Sequence, residues 1–189
     1  MPASPTDEPV LDLADPATQA RLYDAAERLI VDGPGAITAA GDPTKSLEDR
    51  LAAKLAASRR IVAAVDEPLH VGVVFAMWGE HNRLRPRSPD NPTGEDALRF
   101  KLDQLEWATR DTAVSWRLYA IDDGDPNDSG TLAASIADEH PLGDRATIGW
   151  LDRALPTDTG PLAGLASADD ARKGGAVIHG CSLALDDGA

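Results

Sequence analysis

Trp116-Arg117-Leu118-Tyr119-Ala120-Ile121, then Asp122-Asp123-Gly124-Asp125-Pro126-Asn127-Asp128-Ser129-Gly130, then Thr131-Leu132-Ala133-Ala134-Ser135-Ile136-Ala137, is the stretch whose reading decides the fold. The first six residues are rich in aromatic and aliphatic side chains and predict a short strand. The next nine are nearly all turn formers, with glycine where the backbone must reverse and Asp128 or Ser129 placed to cap a helix. The last segment predicts that helix. Strand, loop and helix in that order form one half of a parallel crossover unit.

The same unit recurs on both sides. Upstream, residues 70–77 (HVGVVFAM) form the nearly continuous apolar run of a strand covered on both faces. A polar loop with three prolines comes next, and then a helix is predicted from about Glu95 to Asp111, with Leu98, Leu102, Leu105 and Ala108 on one stripe. Downstream, residues 145–151 (RATIGWL) predict a third strand. A Gly/Pro-rich loop from Pro156 to Ala168 leads to residues 171–185, which open as a loop and continue as a helix. Three such units imply right-handed crossovers and a Rossmann-like, three-layer α/β/α parallel sheet over residues 67–189.

Residues 1–66 have a different texture, that of a helical extension. Asp15-Pro16 predicts a capped helix start with Pro at the first position, and Leu22, Ala26 and Ile30 share a face. Ser46 predicts the cap of a second helix with Leu47, Leu51, Leu55, Val62 and Ala63 at helical spacing. Neither helix carries a chemical motif.

Bulk properties narrow the function classes. The net charge of −14 over 189 residues repels phosphate backbones and anionic lipid, which argues against nucleic-acid and membrane-surface partners. It leaves room for a nucleotide held by a few local groups. No apolar run is long enough to span a membrane, and the first residues lack the basic and apolar regions of a signal peptide. A single cysteine, Cys181, excludes an internal disulfide and suits the cytoplasm; its expected role is that of a small buried apolar residue.

In an open α/β sheet, ligands bind beyond the carboxyl ends of the strands. After the second strand, Asp122 and Asp123 offer carboxylates to a base or ribose, with Gly124 at the turn, although a plain turn explains the same residues. After the first strand, Trp78 is a candidate for base stacking or for the core, and Glu80 lies just past the strand end. Arg83, Arg85 and Arg87 are candidates for a diphosphate or for a solvated loop. Arg172-Lys173-Gly174-Gly175-Ala176 opens the last helix, where free N–H groups favour anions. Neither a Walker A motif nor G-x-G-x-x-G is present.

Three of these elements together resemble GT-A-fold, family-2-like glycosyltransferases. Ala76-Met77-Trp78-Gly79-Glu80 is similar to the end of that family's first strand, Ile121-Asp122-Asp123-Gly124-Asp125-Pro126-Asn127-Asp128-Ser129 to its V-D-D-G-S-x-D-x-S element, and Lys173-Gly174-Gly175-Ala176 to its K-G-x-A segment. The resemblance implies that Glu80, Asp122, Asp123, Gly124, Lys173 and Trp78 contact the nucleotide of a nucleotide-diphosphate sugar. It also implies a divalent cation, Mg or Mn, held by a later D-x-D motif. No counterpart of that motif is seen before Ala189: Asp186-Asp187 predicts a helix exit, so the metal ligands and general base are expected to be missing and the chain to be a truncated, inactive form. The alternative expectation is a non-catalytic α/β module that binds nucleotide or a partner, with self-association through an exposed sheet edge. A nucleotidyltransferase fits less well, since Trp78-Gly79-Glu80 is not a Gly-rich basic loop.

Overall fold

A computed structural model describes residues 11–189. Residues 1–10, which carry much of the segment read for a leader, lie outside the described residues. The described chain divides into two compact units, the first ending at Ala64 and the second running from Val65 to Ala189.

The first unit is helical. Helix α1 (Pro16–Asp32) starts at Asp15, whose carboxylate accepts the N–H groups of Ala17 and Thr18, with Pro at the helix start. Helix α2 (Leu47–Ala63) starts at Ser46, whose hydroxyl oxygen accepts the N–H of Asp49. Arg21 pairs with Glu48 near the start of both helices, and Arg59 with Glu27 further along both. The two helices therefore run side by side in the same direction, and residues 33–46, including a 3-10 helix at Pro34–Gly41, bring the chain back. The buried face differs from the expected leucine stripe. Leu22 and Ala26 of α1 meet Ala52, Ala53 and Ala56 of α2, while Leu47 and Ala63 are exposed. Methyl-sized side chains let the helix axes approach closely, and the larger leucines are left to flank the seam.

The second unit is a mixed α/β fold of Rossmann-like type. Strands β1 (Leu69–Met77), β2 (Val114–Asp122) and β3 (Ala146–Trp150) form a parallel sheet in the order β1-β2-β3. Each strand runs to within a residue or two of its expected end. Short helix α3 (His81–Leu84) and helix α4 (Ala97–Thr109) connect β1 to β2, and α5 (Ser129–Glu139) connects β2 to β3. After β3 come α6 (Leu151–Ala154) and the long helix α7 (Ala168–Asp186).

Alternation along the strands separates two apolar clusters. Val73, Phe75 and Met77 of β1 and Trp116, Leu118 and Ala120 of β2 pack with Leu98 and Leu102 of α4 and Ala133 and Ile136 of α5. Val74 and Ala76 of β1 and Tyr119 and Ile121 of β2 pack with Ala176, Leu183 and Ala184 of α7 and with Leu151 and Leu155. Leu98 and Leu102 are fully buried, as their spacing predicts. The period-two pattern of β2 thus feeds both clusters, which is why its residues from Leu118 to Ile121 are wholly buried.

Helix α7 corrects two expectations. It begins at Ala168, where Ser167 caps through Asp170 N–H, one turn before the segment expected to open it, and is broken at Arg172. Cys181 is exposed. The helix turns Gly180 and Ala184 to the sheet, and one residue's rotation carries Cys181 outward beside Val177, Ile178 and Leu185. Its contact with the sheet is close: a Cβ added at Gly180 meets Val74 Cγ1 at 2.6 Å and Ile121 Cγ1 at 3.0 Å. Asp187 ends the helix as expected, and its carboxylate accepts the Tyr119 hydroxyl at 2.9 Å. Gly180→Leu is expected to lower unfolding free energy by about 2–3 kcal/mol through overpacking, read from urea denaturation; an unchanged midpoint refutes this seating of α7.

Candidate functional site

The site lies where β1 and β2 end. Met77 and Asp122 are register partners, so the two strands stop level with each other. The chains leaving them are tied together: Asp123 N–H donates to the Met77 carbonyl at 3.1 Å, and Gly79 N–H donates to the Asp125 carboxylate. Gly79 and Gly124 take φ of 68° and 91°, which a side chain would strain, and these turn both chains sharply off the sheet.

Adjacent residues of β2 point to opposite faces, and this divides the two aspartates by role. Asp122 is 3% exposed and its oxygens are spent on backbone. Oδ1 accepts from Gly124 N–H at 2.9 Å and Asp125 N–H at 2.8 Å, and Oδ2 accepts from Gly130 N–H at 2.6 Å. Asp125 extends the knot by accepting from Asn127 N–H and from the Ser129 hydroxyl. Burial raises the Asp125 pKa, but the bonds from Ser129 and Asn127 outweigh it and hold the group below the ordinary carboxylate range. Asp128 then caps α5 by accepting from Thr131 N–H.

Asp123 has the opposite situation. Its Oδ1 is buried and has no hydrogen-bond partner. Burial, reinforced by the charges of Asp122 and Asp125 and opposed by Lys173, pushes its pKa up to about 6. An unpartnered buried carboxylate oxygen is costly unless something donates to it.

A cavity of about 730 Å³ opens beside it, lined by Ala76, Trp78, Glu80, Asp123, Ala168, Asp169, Arg172 and Lys173. Four of the six candidate residues, Trp78, Glu80, Asp123 and Lys173, therefore share one wall system, and Asp122 and Gly124 are not part of it. Trp78 is 65% exposed, so it is a cavity surface and not a core residue. Glu80 is engaged by Arg83 at 2.9 Å, and Arg83 also bonds Glu95 at 2.8 Å. That double engagement takes Arg83 out of the pool of free cations. The proline loop is itself stitched, with Asn91 Nδ2 donating to the carbonyls of Asn82 and Pro86. The cations that reach the cavity are Arg172 and Lys173.

Arg172 belongs to the segment expected to open the last helix, whereas Ala168 and Asp169 were not among the candidates. A signal for the last two lies in Ser167-Ala168-Asp169-Asp170, a capping pattern that starts a helix turn before the glycines. Among the described residues, no three His, Cys, Asp or Glu side chains are grouped to hold a metal ion. No helix of the described residues is long and apolar enough to cross a membrane.

No protein-family model, no curated protein and no solved structure matches the chain.

The two aspartates respond differently to substitution. Asp122→Ala strands three backbone N–H groups and is expected to cost roughly 3 kcal/mol or more in urea denaturation. For Asp123 the folded pKa lies above the unfolded value, so the ionised group opposes folding above about pH 6 and this penalty fades as pH falls towards 4. Asp123→Asn should therefore be more stable than the parent at pH 7, with the difference vanishing near pH 4. A pH-independent difference contradicts the assignment.

Proposed function

We propose that residues 67–189 form the nucleotide-binding half of a GT-A-type, three-layer α/β/α transferase fold, and that the cavity takes a nucleotide-diphosphate sugar. The observation that carries this reading is convergence: an exposed Trp78, the largely buried carboxyl group of Asp123, and the Arg172-Lys173 pair all line one cavity at the ends of two parallel strands.

Each group suits a part of such a ligand. Trp78 offers an aromatic face to a base. Asp123 lines the cavity with Trp78, and a ring N–H of uracil or guanine can donate to its carboxylate, whereas adenine and cytosine carry no ring N–H on that edge. Glu80, held by Arg83, is placed for a ribose hydroxyl, and Arg172 and Lys173 for the diphosphate. Asp122 and Gly124 support this arrangement from behind by fixing the loop. The Mg or Mn that the resemblance implies belongs to the full-length family, and no three carboxylate, imidazole or thiol side chains are grouped to hold it among the described residues.

Calorimetry with UDP and GDP, beside ADP and CDP, tests the reading. Uridine or guanosine diphosphate should bind, with Trp78 fluorescence quenched, and Asp123→Ala or Lys173→Ala should weaken binding by at least about tenfold. Binding unchanged in both variants, or equal for all four nucleotides, removes the assignment.

A further inference from the structure

Arg172 takes φ 51° and ψ −155° at the kink between the two helical segments of α7. That combination belongs to glycine; for any other residue it is strained and persists only where surroundings enforce it. The surroundings here are small residues in close contact. Ala168 is 8% exposed and lies against Gly124, where an added Cβ comes within 3.0 Å of the Ala168 Cβ. Ala171 sits over Gly175, whose missing side chain makes room for it. The turn Ala168–Ala171 is thereby held against the aspartate loop, and Ala168, Asp169 and Arg172 all form cavity wall.

We propose that Arg172 is a hinge between two states of α7, and that anion binding in the cavity selects the broken state. In one state α7 is interrupted at Arg172 and the turn Ala168–Ala171 folds onto Gly124, as seen. In the other, Arg172 relaxes to helical φ/ψ, α7 becomes continuous, and the turn swings off the aspartate loop. Backbone strain favours the continuous state. A bound diphosphate favours the broken one, because only there do Ala168, Asp169, Arg172 and Lys173 enclose one space. The ligand then shifts a population by its differential affinity for the two states. This inference rests on the anionic-ligand reading above.

Two substitutions at this exposed position separate backbone from charge. Arg172→Ala and Arg172→Gly remove the same guanidinium. Glycine relieves the strain of the broken state and disfavours continuous helix, and alanine does the reverse. With UDP as the probe, Arg172→Gly should bind at least about tenfold more tightly than Arg172→Ala. In ligand-free protein, amide hydrogen exchange over residues 172–176 should be slowest in Arg172→Ala and fastest in Arg172→Gly, since a residue at the observed angles interrupts the i→i−4 ladder. Equal UDP affinities of the two variants overturn the hinge and leave the nucleotide reading standing. Absence of both UDP and GDP binding in the parent protein overturns the nucleotide reading, and the exchange order then decides the hinge alone: equal rates in both variants refute it.

Discussion

The carboxylate of Asp122 holds three backbone N–H groups at the end of the central strand, and the geometry around it derives from that attachment. Two of the donors belong to the turn that leaves β2, and the third is the start of α5. One side chain thus sets where the turn goes and where the next helix begins. Charge-assisted bonds of this kind are each worth more than a neutral pair, and burial removes water as a competitor. With Asp122 facing the α4/α5 side, the alternation of the strand sends Asp123 to the α7 side, where the cavity is. The turn also depends on neighbours: Asp123 N–H donates to the Met77 carbonyl, which ties the ends of β1 and β2 together.

The cavity wall of this acidic chain is of mixed sign, with Arg172 and Lys173 set among Glu80, Asp123 and Asp169. A net charge of −14 disfavours an anion at long range. Surface charges beyond about 8 Å are screened at physiological salt, so the nearest groups decide. Arg83 is balanced by Glu80 and Glu95, which leaves Arg172 and Lys173 as the cations on the cavity wall. Asp123 sits near Lys173 and is raised to about 6, so its charge near neutral pH is maintained at a cost that a donor from a ligand offsets.

The three parallel strands and the places where they end were legible in the sequence, because apolar runs and turn residues report directly on strands and their exits. The leucine stripe of α4 was legible for the same reason. Periodicity does not encode which of two adjacent aspartates turns inward: Asp122 and Asp123 read alike until the register fixes their faces. Nor does composition show that Ala52, Ala53 and Ala56, rather than the leucines beside them, form the α1/α2 seam. Burial depends on the distance between axes, and small residues permit the shorter one. Cys181 was misplaced on its average tendency, since a residue's preference for the interior yields to the phase of the helix that carries it.

The break in α7 arises from the way the helix is seated. Close approach to the sheet demands Gly180, and room for the Ala168–Ala171 turn demands Gly175, with Gly174 beside it. Each glycine weakens helix by about 1 kcal/mol relative to alanine. Gly174 and Gly175 fall in the first turn after Arg172, so the ladder is least stable where the cavity wall crosses it. Further along, Ala176, Leu183 and Ala184 anchor the helix in the apolar cluster with Tyr119 and Ile121. The helix is therefore firm where it meets the sheet and weak where it meets the cavity. A side chain at position 175 would oppose the folded-back turn directly, and no glycine stands at position 172 to relieve the backbone that results. The strain is concentrated in a single residue whose cationic side chain lines the same cavity.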